Sequence, residues 1–169
     1  MNRPNAGDHA AFYDKYINLV NDEPILETLE KLKTSTYDFL CSLTHEQANY
    51  AYAEGKWTIK EVAGHLTDTE RTFAYRALAF SRGQGELPGF DENEYVETAT
   101  FNTRTLQDLA AEFKATREAN LYMLRSLTED QLNIVGVANH ASIKVNSIVY
   151  IMAGHELHHL NILRERYLL

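Results

Sequence analysis

Apolar residues recur every three or four positions in four long segments of this chain, and no segment alternates apolar and polar residues as a half-buried strand would. That pattern restricts the chain to helices packed on helices. The sharpest start is "WTIKEV". Thr58 is placed to cap a helix, Glu61 three residues later completes a capping box, and Trp57 and Val62 stand at the two positions of a hydrophobic staple. This helix should run to about Ser81, where "RGQGELPG" stops it. Residues 24–42 open with Pro24 in the first turn and place Ile25, Leu29, Leu32, Tyr37 and Leu40 on one face. A third helix, about 105–127, starts from Thr105 and Asp108, and a fourth, about 147–167, starts from Asn146 as cap. A shorter amphipathic piece carries Phe12, Tyr13, Tyr16 and Ile17. The expected fold is all-α: a four-helix bundle with a short extra N-terminal helix and a long loop, 82–104, between helices 2 and 3. That loop reads equally well as a lid or binding segment and as a plain crossover. Residues 44–56 form a second, shorter link.

At 169 residues the chain fits one domain, 1–169, large enough to bury a core without staples. A net charge of −8 repels phosphate backbones, and no Lys/Arg run offsets it, so a nucleic-acid partner is not expected. No apolar run approaches the ~20 residues that span a bilayer, so no membrane partner is expected either. The single Cys41, in "YDFLCSL", cannot form an internal disulfide and reads as a small core residue. With no leader pattern at the N-terminus, the expected location is cytoplasmic.

The chemistry lies in the histidines. "AGHELHHLNILRERY", 153–167, contains the pattern H-E-x-x-H, and "AGH" also occurs at 63–65. With His155 set at zero on a helical wheel, Ile148, Ile151, Met152, His159 and Ile162 all fall within about 60° of it. His155 and His159 therefore sit in the core-facing stripe at i, i+4, a spacing that lets two imidazoles reach one metal ion. His158 lies at the stripe's edge, as a spectator, a group supporting the ligands from behind, or a pocket residue. Two buried imidazoles need polar partners, either hydrogen-bonding groups or a metal. His65 is the candidate third ligand. It lies at the margin of the second helix's stripe, and Thr69, Thr72 and Arg76 continue its line as one wall of a small pocket. His9, His45 and His140 read as surface residues.

A zinc protease is excluded. Its third ligand commonly lies downstream, yet the residues after His159 include no histidine, and Glu165 points about 120° away around the helix. No strand is evident to hold a peptide. Glu156, beside His155, is the candidate general base for a hydrolytic reaction, or else a surface carboxylate paired a turn away. Glu61 could orient His65 or simply complete its capping box. Arg76 could hold an anionic substrate group or make a surface ion pair.

"KWTIKEVAGHLTDTERTFAYRAL" at 56–78, "LPGFDENEY" at 87–95 and the 153–167 segment resemble the DinB-like superfamily, also called DinB/YfiT-like metalloenzymes. The likeness runs in order over nearly the whole chain. It implies a four-helix bundle of unusual connectivity holding one divalent transition metal, zinc or nickel, on His65, His155 and His159. It also implies a small-molecule substrate. Some members resemble metal-dependent thiol transferases, with a low-molecular-weight thiol as co-substrate, and others carry a hydrolase label. S-transfer from a small thiol to an electrophile is the leading expectation, with hydrolysis at the same metal, or a non-catalytic metal-binding module, as alternatives. The native metal, the helix order and a homodimer are left open by the sequence.

Overall fold

The computed structural model describes residues 1–168. In chain order it contains α1 (Asp14–Ile17), preceded by a 3-10 turn, then α2 (Ile25–Ser42), α3 (His45–Ala48), α4 (Ile59–Ser81), β1 (Glu86–Leu87) and α5 (Glu92–Thr98). After a second 3-10 turn come α6 (Leu106–Arg125), α7 (Glu129–Leu132), β2 (Val135–Ala138), β3 (Ala141–Lys144) and α8 (Val145–Ile162). The long helices α2, α4, α6 and α8 form the bundle.

Helix α4 starts as its sequence requires. The Thr58 side chain accepts from the Glu61 amide, and the Glu61 carboxylate accepts from the Thr58 amide. Thr105 caps α6 through the Asp108 amide. The expected Asn146 cap of α8 is a correction. Strand β3 runs directly into the helix, so Lys144 takes the cap position and Asn146 lies in the first turn, donating to the Asn2 carbonyl.

Helix α6 packs on both α2 and α4, α8 packs on α4 and more lightly on α2, and α1 lies against α8. The order around the bundle is therefore α2, α6, α4, α8. The sequence neighbours α2 and α4 stand on a diagonal, which is what makes the connectivity unusual. Two apolar clusters fill the interior. One joins α1, the C-terminal half of α4 and most of α8; the other joins the start of α4, the start of α6 and the end of the chain. Cys41 packs beside the second cluster.

A small sheet interrupts the all-helical expectation. β1 pairs parallel with β2, and β2 pairs antiparallel with β3 through the two-residue turn Asn139–His140, both at positive φ. That is the backbone a tight hairpin demands, filled here without a glycine. The sheet ties the long loop to the α6–α8 connection, and the loop itself carries β1 and α5. Among the described residues, no helix is long and apolar enough to cross a membrane.

Candidate metal centre and pocket

His65 on α4 and His155 and His159 on α8 converge. His155 Nε2 lies 3.1 Å from His65 Nε2 and 3.1 Å from His159 Nε2. One ligand atom from each lies within 4.8 Å of the other two. Nitrogens bound ~2.1 Å from one ion stand roughly 3.0–3.4 Å apart, so the cluster has the dimensions of a ligand set. Its chemistry agrees. Burial drives the His65 pKa down to about 4. Burial, then the neighbouring imidazoles, holds His155 and His159 well below the ordinary histidine range. All three are neutral at pH 7, the form that offers a lone pair to a metal. The Thr69 hydroxyl lies 3.4 Å from His65 Nδ1, so it can accept that N–H and leave Nε2 free to bind.

The repeated "AGH" acquires a physical meaning. A Cβ on Gly64 would stand 2.4 Å from the Phe101 ring, and one on Gly154 would stand 2.1 Å from the Tyr16 carbonyl oxygen. Each glycine lets another segment cross the helix one residue before a metal-ligand candidate. The second crossing sets the Tyr16 ring edge-on against His155 and His158, with centroids 5.4 and 5.3 Å away.

The cluster opens onto a pocket of about 360 Å³. Of the residues expected there, Thr69, Arg76 and His158 line it, together with His65, His155 and His159. Thr72 is not on its lining; the hydroxyl turns back to the Asp68 carbonyl. Sequence reasoning did not place Tyr13, Tyr16, Phe90, Glu92 and Asn139 in this wall, because the N-terminal segment, the long loop and the hairpin turn deliver them. The Trp57 of the staple is also pocket lining, 4.8 Å from His65 between ring centroids.

Glu156 is neither a surface carboxylate nor placed over the pocket. It is 1% exposed and belongs to a polar layer to which all the bundle helices contribute. Arg117 of α6 donates to both oxygens of Glu70 of α4, at 2.7 and 2.9 Å. Its Nη1 lies 2.8 Å from Glu156 Oε2, but off the N–H direction, so that contact is electrostatic. Thr36 of α2 donates to the other Glu156 oxygen. Burial pushes the Glu156 pKa up, against the pull of Arg117. Glu61 is likewise occupied, by its capping box and by the Asn102 amide. His9, expected at the surface, is buried against Ser147 and Asp14. His45 and His140 are exposed, as expected.

A helical bundle with a neutral histidine cluster opening into a pocket defines a metalloprotein-like class of fold and site. Sequence comparison supplies the family: a profile of the DinB superfamily matches residues 28–163, and the chain belongs to that superfamily. Two proteins of Oceanobacillus iheyensis, OB0413 and OB0782, each named "Putative metal-dependent hydrolase", are both 28% identical to it. The first match spans 83% of this chain and 84% of that protein, the second 87% and 81%. The structure of YfiT from Bacillus subtilis, titled a "probable metal-dependent hydrolase with an unusual four-helix bundle topology", superposes with a TM-score of 0.70 at 21% identity. That match covers 97% of this chain and 90% of that one, and it establishes the fold.

Proposed function

We propose that the protein is a metal-dependent enzyme acting on small molecules, and that its reaction joins the sulfur of a low-molecular-weight thiol to an electrophilic carbon. The observation that carries the metal is the convergence of three neutral imidazoles, His65, His155 and His159, on the wall of a pocket. An all-nitrogen donor set suits zinc or nickel and argues against magnesium or calcium. A divalent ion on three neutral ligands supplies strong acidification of a water or thiol, and so a nucleophile near neutral pH.

The chain's own residues favour the thiol. Hydrolysis calls for a base beside the attacking water, and Glu156, the obvious nominee, is held in the Arg117 layer. Glu92 is the carboxylate on the pocket wall, and it is exposed. A thiol needs less help: its proton passes to solvent, the carbon–sulfur bond forms, and the bond to the leaving group breaks. Thr69 orients His65, and Tyr16 packs edge-on against the rings of His155 and His158. The names of the relatives favour hydrolysis as the second reading.

The test is incubation of zinc- or nickel-loaded protein with a panel of small thiols and a model electrophile, followed by mass spectrometry. Thioether formation that needs both the metal and His155 supports S-transfer. Ester or amide cleavage indifferent to added thiol replaces it with the hydrolytic reading.

A further inference from the structure

The charge of Arg76 is not used by the fold. The residue is 4% exposed, yet no carboxylate of the described residues lies within ion-pair distance of it, whereas Arg104 and Arg117 each have two and Arg125 has one. A buried cation without a counter-charge is costly, so its retention calls for a reason. Arg76 donates one N–H to the Pro88 carbonyl at 3.3 Å. The rings of Phe73 and Phe90 flank its guanidinium at 5.4 and 5.6 Å, and the Tyr13 hydroxyl lies alongside. These contacts fix the fork without neutralising it. Of its five N–H groups, enough remain for a bidentate bond to an incoming anion.

His65 and Arg76 lie eleven residues apart on α4, about 16 Å along the axis, and an arginine side chain leans back toward the helix N-terminus. Both line the same pocket. Glu92, exposed on that wall, disfavours a phosphate dianion more than a singly charged carboxylate. We propose that Arg76 is the anion subsite of this pocket, and that the substrate is a small carboxylate with an apolar body, held by Arg76 at one end with its reacting atom beside the histidines. The position of the reacting atom rests on the function proposed above; the role of Arg76 does not.

The probes are 3-phenylpropionate and its neutral isostere 3-phenylpropanamide, titrated calorimetrically into the full chain, metal-free and metal-loaded. The carboxylate should bind about tenfold or more tightly than the amide in both forms, as expected for a charge-assisted pair. Arg76→Met should abolish that preference, and Arg76→Lys should keep part of it. Equal affinities for wild-type protein, or no binding of either probe, overturn the subsite whether or not the variants fold. A preference confined to metal-loaded protein and retained in Arg76→Met places the anion on the metal and also overturns it. If the metal-dependent reaction itself fails, a carboxylate preference in metal-free protein still stands.

Discussion

Arg117→Met isolates the polar layer at the centre of the bundle. Arg117 is fully buried, and the carboxylates it serves, Glu70 and Glu156, are 3% and 1% exposed. Methionine roughly preserves the volume, so the main effect is electrostatic: two carboxylates stay buried without their cation. Breaking a buried ion pair from one side costs about 3–5 kcal/mol, a large part of the 5–15 kcal/mol that holds a domain folded. The variant should remain helical but unfold at a much lower urea concentration, with little change in slope. The sign of its pH dependence follows from the carboxylates. Burial already holds the Glu156 pKa above its unfolded value, and losing Arg117 removes the pull that opposes this, so the stability tied to Glu156 is full below the unfolded value and falls as pH increases. The deficit relative to wild type should therefore be smaller at pH 5 than at pH 8. Replacing all three residues by methionine should recover most of the loss, because no buried charge is then left unpaired. Urea unfolding followed by far-ultraviolet circular dichroism at the two pH values measures all of this. A single-variant loss below about 1 kcal/mol, or a triple variant no better than the single one, would refute the reasoning.

Gly154→Ala gains about 1 kcal/mol of helix propensity but drives a Cβ to 2.1 Å from the Tyr16 carbonyl, so a net loss of roughly 1–2 kcal/mol in thermal unfolding is expected, with weaker metal binding. In metal-free protein, the His65 pKa is lowered from 6.5 to about 4. Its contribution to stability is thus complete above pH 6.5 and is lost as pH falls toward 4, by roughly 3 kcal/mol. Unfolding across that range should be steeper for wild type than for His65→Asn. Glu156→Gln should lose stability and leave any metal-dependent activity of the folded protein unchanged, whereas a general base would show the reverse; activity and unfolding measured on one preparation decide between them.

The helices were legible because their signals are local: capping boxes, apolar stripes and breakers act within a few residues. The histidine cluster was legible because i, i+4 spacing on α8 and the "AGH" on α4 leave few ways to arrange the rings. The Glu70–Arg117–Glu156 layer was missed for a physical reason. Setting His155 at the centre of the wheel turned Glu156 outward, although Met152, Glu156 and Leu160 form a run at i, i+4 in the buried face of α8. Glu70 between Leu66 and Phe73, and Arg117 between Phe113 and Leu121, likewise interrupt apolar stripes with opposite charge. That pairing was the available signal. The strands, two to four residues long, are too short for alternation to register, and pairing through a glycine-free turn hid the hairpin. The far pocket wall depends on where that sheet fixes the long loop, which no local pattern encodes.

Metal content of purified protein and of four single variants tests the central claim most directly. Elemental analysis should find about one divalent transition metal per chain in wild type and in His158→Ala, and little in His65→Ala, His155→Ala or His159→Ala, with all five proteins helical. Wild-type protein prepared without chelator that holds no metal even after incubation with zinc or nickel would contradict the account, as would an equal loss in all four variants.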